Sequence, residues 1–266
     1  MSVVSICGFG GRMGQAIARS LYSKGHSVGN SFDIPSSPFY GKDPALDIVG
    51  KNSGAIVGEI SASAIKDVDC VVDFSAPTAA MKILDAAVEA SKPIVIATTG
   101  LDSDMEKRIE DASKKIAIVY ATNMSVGVNL LFKLAEMAAS VLGGSYDAEV
   151  FEAHHRNKKD SPSGTASTII NHIRKGHRDF EKCTEAYRDR GIIGERTDNE
   201  IGVQVLRGGD IVGEHTAFFC GLGERIEITH RATDRRVLAD GAVRASEFVV
   251  SAKPGLYSML DVLNIG

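Results

Sequence analysis

The first fourteen residues constrain this chain more than any other segment. An apolar, β-branched run, Val3 to Phe9, passes without a linker into Gly8-Phe9-Gly10-Gly11-Arg12-Met13-Gly14, and an amphipathic stretch follows, Met13 to Ser23, with Ile17, Ala18 and Leu21 on one face. A strand that turns through glycines into a helix brings its backbone close to an anion, and the helix start offers unpaired N–H groups and the positive end of its dipole. The spacing is not G-x-G-x-x-G, because the last glycine falls one position late. Gly8, Gly11 and Gly14 fit G-x-x-G-x-x-G instead. A second strand, Ser27 to Asp33, completes a βαβ unit and ends in an acidic side chain about 20 positions beyond the loop, where a dinucleotide's adenosine ribose would be held.

The same grammar continues. Val68 to Phe74, Pro93 to Thr98 and Ile116 to Ala121 are near-continuous apolar runs, separated by helical stretches over Thr78 to Ala90 and Ser103 to Lys114. Such strands need cover on both faces, which predicts a Rossmann-like, doubly wound α/β domain built on a parallel sheet. The segment from Pro35 to Glu59 has no clear period and reads as an irregular surface connection.

After Asn123 the pattern changes. Val126 to Leu142 is helical by period, Tyr146 to His154 alternates like a half-exposed strand, and a short helix spans Thr165 to Arg174. Three further strand-like segments, Gly202 to Arg207, His215 to Cys220 and Arg225 to Ala232, are joined by glycine turns that suggest antiparallel neighbours. This predicts an inserted α+β domain with a mixed sheet. A last helix, Val237 to Val250, returns to the aliphatic style of the first half, giving a discontinuous domain of 1–125 and 236–266 and an inserted one of 126–235.

Composition narrows the classes of function. The 30 Lys+Arg against 34 Asp+Glu give a net charge of −4, which lacks the basic field of a sequence-independent nucleic-acid binder. No uninterrupted apolar run approaches the roughly 18 residues of a membrane span, and the N-terminus does not read as a secretory signal. Cys7, Cys70, Cys183 and Cys220 form no C-x-x-C pair, so a cytoplasmic chain with free thiols is expected and a zinc ribbon is not.

The richest chemistry lies in Glu152-Ala153-His154-His155-Arg156-Asn157-Lys158-Lys159-Asp160-Ser161-Pro162-Ser163-Gly164-Thr165. Histidine titrates near neutrality and suits proton donation, lysine supplies a compact positive charge, and the Ser-Gly-Thr helix start presents N–H donors. A small, multiply anionic substrate beside an acid is the expectation. A metal site competes poorly, because adjacent histidines on a strand face opposite ways and no acidic partner stands at an evident ligand spacing.

These residues carry a resemblance. GFGGRMG, ATTG (Ala97 to Gly100), ATNMSVGVN (Ala121 to Asn129), the histidine loop, VGEHTAFF (Val212 to Phe219) and DGAVRASEF from Asp240 closely resemble the 4-hydroxy-tetrahydrodipicolinate reductases, also called dihydrodipicolinate reductases, across essentially the whole chain. The resemblance implies reduction of a cyclic imine dicarboxylate by NAD(P)H in the diaminopimelate route to lysine. It implies His154 and Lys158 as proton donors, and His155, Gly164, Thr165 and Arg235 as substrate contacts. Cofactor contacts are implied at Gly8, Phe9, Gly10, Gly11, Arg12, Met13 and Asp33, at Ala97, Thr98, Thr99 and Gly100, and at Ala121, Thr122, Asn123 and Met124. It further implies a homotetramer built through the second domain's sheet, and hinges near 123–127 and 234–236. Asp33 stands where the family often has glutamate and Ile34 where arginine often follows. With no cation from Ile34 to Ser37 to meet a 2′-phosphate, NADH is expected over NADPH. The competing expectations are another NAD(P)-dependent reductase of an amino or keto dicarboxylic acid, and a dinucleotide-sensing module without turnover.

Overall fold

The computed structural model describes all 266 residues. They divide into two compact units, Met1–Val126 with Arg235–Gly266, and Gly127–Asp234.

In the first unit, numbering elements along the chain, β1 (Val3–Cys7) leads into α1 (Arg12–Ser23), then β2 (Ser27–Val28), β3 (Ser31–Phe32), α2 (Leu46–Val49) and β4 (Val57–Gly58). β5 (Cys70–Asp73), α3 (Pro77–Glu89), β6 (Ile94–Ile96), α4 (Ser103–Ser113) and β7 (Ala117–Tyr120) follow. After the second unit come α8 (Arg236–Ser251), β13 (Gly255–Tyr257) and α9 (Met259–Leu263). The strands form one parallel sheet in the order β13-β7-β6-β5-β1-β3-β4, with β2 also on β1. The order in which the chain adds strands reverses at β1, so the carboxyl end of β1 opens at the switch point where doubly wound sheets bind ligands. Two apolar cores cover the faces. Ile17, Ala18 and Leu21 of α1 share one with Ala242, Val243 and Val249 of α8, while Ile83 and Leu84 of α3 and Ile109 of α4 share the other.

The strand expected over Ser27 to Asp33 is interrupted. A side chain at Gly29 would press on Val68 Cγ1 at 2.7 Å, and Asn30 turns its amide to the carbonyl of Ala64 and the N–H of Ile56, breaking the ladder into β2 and β3. The stretch read as irregular contains α2 and β4.

The second unit holds α5 (Val126–Leu142), β8 (Asp147–His154), α6 (Gly164–Gly176), α7 (Arg178–Glu181), β9 (Thr184–Ala186), β10 (Glu200–Arg207), β11 (Gly213–Gly221) and β12 (Glu224–Ala232). Its sheet is mixed, in the order β12-β11-β8-β10-β9. β8 runs antiparallel to β11 and parallel to β10, so the glycine turn at 208–210 is no hairpin. That corrects the expectation that β10 and β11 pair: they run in opposite directions but are separated by β8. Only β11 and β12 pair as consecutive antiparallel strands, through the turn at Gly223. Val128, Leu131, Phe132, Ala135 and Ala139 of α5 and Ile169, Ile170 and Ile173 of α6 bury one sheet face. Residues 126–145 are long and apolar enough to cross a membrane by length and composition, but Lys133 and Glu136 interrupt them; one face of α5 packs in the second unit's core, while Leu130, Leu134, Met137 and Val141 are exposed.

Candidate active site

The glycine loop has the form of an anion cradle. Gly8 takes a left-handed φ of +82°, and a Cβ there would enter the carbonyl of Phe74. A Cβ at Gly14 would strike the carbonyls of Gly8 and Phe9, the latter at 2.6 Å, so α1 can start this close to β1 only without a side chain. Gly11 caps α1 with no side-chain hydrogen bond, and the first turn carries no acid. The free N–H groups and the positive dipole end are thereby left for a ligand. Phe9 is buried while Arg12 is exposed and Met13 packs on the core beneath.

Asp33 lies against this loop. One carboxylate oxygen accepts from the Gly10 N–H at 2.6 Å and from the Ser37 hydroxyl at 2.8 Å, and the other from the Ile34 N–H at 2.8 Å. Three donors fix its orientation. Ala97 and Thr98 are buried at the end of β6, and Thr99 and Gly100 are exposed. The Thr98 hydroxyl donates to Asp73 at 2.6 Å, so its side chain braces the sheet. Asp73, fully buried at the end of β5, also accepts from Ser75, and burial raises its carboxyl against those hydrogen bonds. Asp73 was not among the expected residues; it ends an apolar run, VDCVVDF, where an acid needs partners. Ala121, Thr122 and Asn123 follow β7, and Met124 is buried in the first unit's core with its carbonyl packed against Gly241 of α8.

In the second unit β8 carries the histidine pair. The period of two that separates His154 from His155 also places Glu152 and His154 on one face. Glu152 is fully buried, and its Oε2 lies 2.5 Å from His154 Nδ1. The other oxygen, Oε1, accepts from Arg207 Nη2 at 2.8 Å and from the Ser163 N–H at 3.1 Å. Burial alone would raise the Glu152 carboxyl, but His154 and Arg207 outweigh it and hold it down at about 2. His215, opposite Glu152 on β11, shares a hydrogen bond with Ser163 Oγ at 3.1 Å, and its ring stands 5.1 Å from that of His154. Burial first, and then the neighbouring His154, depresses His215 to about 3, so it is neutral.

Glu152 thus corrects the expectation that no acidic partner sits at ligand spacing from the histidines. Together with His154 and His215 it gathers three donor atoms within 4.8 Å. Ligand atoms on a tetrahedral zinc with bonds near 2 Å are roughly 3.3 Å apart, and the 2.5 Å contact is too short for that. With Arg207 on the same carboxylate, the arrangement suits a shared proton better than a cation.

The loop after β8 is tied down. The Arg156 N–H donates to Gly209 and the Gly208 N–H to His154, while Arg207 reaches the Asp160 carbonyl at 2.7 Å. Lys158 Nζ stands 2.9 Å from Asp160 Oδ2, and its charge contributes to the depression at His215. Ser163 caps α6 by accepting from the Ala166 N–H, leaving Gly164 exposed and Thr165 half-buried at the helix start. Arg235 lies at the N-cap of α8 and belongs to the first unit, as does Val126, which moves the expected boundary of 126–235 by one residue at each end.

Residues 2–124 match the family described as dihydrodipicolinate reductase, N-terminus, and residues 127–263 its C-terminal counterpart. The chain belongs to the dihydrodipicolinate reductase family. It is 44% identical over 268 aligned residues to the 4-hydroxy-tetrahydrodipicolinate reductase of Thiobacillus denitrificans, covering 100% of both chains. Against the protein of that name from Dechloromonas aromatica it is 42% identical, covering 98% of both. The dipicolinate-bound dihydrodipicolinate reductase from Paenisporosarcina sp. TG-14 shares the fold, with a TM-score of 0.77 at 20% identity over 98% of each chain. A probable dehydrogenase from Thermotoga maritima shares it at a TM-score of 0.64 and 12% identity, covering 99% of this chain and 93% of that one.

Proposed function

We propose that the protein reduces 4-hydroxy-tetrahydrodipicolinate to tetrahydrodipicolinate with NAD(P)H, in the diaminopimelate route to lysine. The observation that carries this reading is the full-length identity of 42–44% to reductases of that name. The complete His154, Lys158 and Ser163-Gly164-Thr165 set agrees with it. In this reading Gly8 to Met13 and Asp33 hold the dinucleotide, with the segments 97–100 and 121–124 beside it. The steric demands at Gly8 and Gly14 and the uncapped start of α1 fit such a group.

The substrate loses water to give a conjugated imine, and a reduced nicotinamide supplies hydride to C4. Everything else falls to the chain. His154 donates a proton to C3, Lys158 places positive charge beside the dicarboxylate and can itself deliver a proton, and His155, the Gly164 N–H, Thr165 and Arg235 hold the carboxylates. Loss of the acid lowers turnover by roughly 10²–10⁴-fold.

The reading favours NADH. Asp33 presents a fixed carboxylate where a 2′-phosphate would bring further negative charge, and Ile34 to Ser37 offer no cation in compensation. The functional assembly in this reading is a homotetramer through the sheet face that carries Phe151, Leu206 and Phe218, of which Leu206 is 42% exposed. The protein works in the cytoplasm, in keeping with four free cysteines; burial holds the Cys7 and Cys70 thiols well above the usual range. Initial rates with NADH and NADPH at equal concentration, on cyclic imine made in situ from pyruvate and aspartate semialdehyde, test the cofactor assignment. A several-fold higher rate with NADH is expected, and a several-fold preference for NADPH contradicts it.

A further inference from the structure

We propose that Glu152 is a positioning residue for His154: its buried carboxylate, anchored by Arg207 and the Ser163 N–H, holds the Nδ1 edge of the imidazole so that the transferable proton sits on Nε2. The inference rests on the reading of His154 as the proton donor. Four observations carry it. Glu152 has no solvent exposure, so its charge acts through few intervening waters. Its two oxygens are divided, Oε1 to Arg207 and the Ser163 backbone and Oε2 to His154, which leaves the carboxylate one orientation. The opposite edge of the ring faces Gly213, where a Cβ would stand 3.2 Å from Nε2, so that edge is kept clear of side chain. The His154 side chain keeps 11% of its surface accessible.

The charged and titratable groups around the ring come from every neighbouring element. Glu152 is on its own strand, Arg207 on β10, His215 on β11 and His230 opposite His215 on β12, with Lys158 and Asp160 in the loop. His215 and His230 are both kept neutral by burial, so neither competes as a cation for Glu152. Glu152 is ionised at neutral pH, so its Oε2 stands ready to accept a hydrogen bond at the Nδ1 edge of His154. In the step itself the Nε2–H bond breaks and a C–H bond forms at C3. The ring is left neutral, its remaining proton on Nδ1 toward Glu152. A carboxylate in this place orients a ring and fixes its tautomer without touching substrate, the part an acid plays behind other catalytic histidines.

The test is a double-mutant cycle on the full chain: wild type, Glu152→Gln, His154→Gln and the double variant, each assayed for kcat, substrate KM, cofactor Kd and melting temperature. Glu152→Gln is expected to lower kcat on the order of 10²-fold with KM and cofactor Kd within about twofold. In the His154→Gln background it is expected to add nothing, because it acts through that ring. An equal loss in both backgrounds, or an unchanged kcat in the single variant, overturns the proposal while leaving the reductase reading in place. Full activity of His154→Gln overturns the proton-donor role and this inference with it. If the amide variant does not fold, ¹H–¹⁵N spectra of the wild-type protein decide independently: neutral His154 is expected to carry its proton on Nδ1, and a bare Nδ1 refutes the arrangement.

Discussion

At the scale of single residues, His154, the proposed proton donor, stands against the buried carboxylate of Glu152. His154→Gln is expected to lower kcat by 10²–10⁴-fold while leaving the cofactor Kd within about twofold, measured by turnover and by nucleotide fluorescence. Lys158→Ala is expected to lose both rate and substrate affinity, because the cation it removes serves binding as well as the step. A separate consequence follows from His215, whose folded form stays neutral down to about 3 against an ordinary value of 6.5. Below 6.5 the unfolded chain takes up a proton that the fold refuses, so stability present above that pH is lost progressively as pH falls toward 3. At pH 5 this costs about 2 kcal/mol. Glu152, with its carboxyl held down from 4.5 to about 2, adds loss of the same sign below pH 4.5. Melting temperatures at pH 7 and pH 5 should fall more steeply for wild type than for His215→Gln, and equal slopes would refute the assignment. Of these residues His154 and Lys158 were legible as a motif. Glu152 stands in the same motif, and the period of two that separates the histidines also joins it to His154. Arg207 and His215 come from other strands, and no spacing along the chain reveals a register.

At the scale of elements, the glycine loop and α1 act as one piece. Gly14→Ala forces a methyl group against the carbonyls of Gly8 and Phe9, and the helix must move away from β1 to admit it. Dinucleotide affinity is expected to fall at least about tenfold, with a loss of stability of about 1–3 kcal/mol, readable by titration and by thermal melting. An unchanged Kd would show that α1 does not hold the anion. The helices over α3, α4 and α5 were legible because their apolar stripes are long and regular. The strands were harder where side chains compete with the ladder, as at Asn30. The order of the second sheet was hidden for another reason. Glycine turns at 208–210 and 221–223 look alike in sequence, yet one connects across β8 and the other closes a hairpin.

At the scale of the whole molecule, the proposed function falls on both units: the parallel-sheet unit would offer backbone donors to a dinucleotide, and the mixed-sheet unit would offer its concentrated basic loop to a dicarboxylate. The near-neutral charge of −4 conceals that loop. Light scattering on the eluting protein should give four times the 28.3 kDa of the chain, and a charge placed at Leu206, on the sheet face away from the helices, should lower that mass; a monomeric wild type would contradict the tetramer. The reaction itself is measured by following the NADH absorbance band while cyclic imine is generated in situ from pyruvate and aspartate semialdehyde. Oxidation of NADH that depends on both precursors and on the enzyme that condenses them is expected. No oxidation above the rate seen without the imine would contradict it.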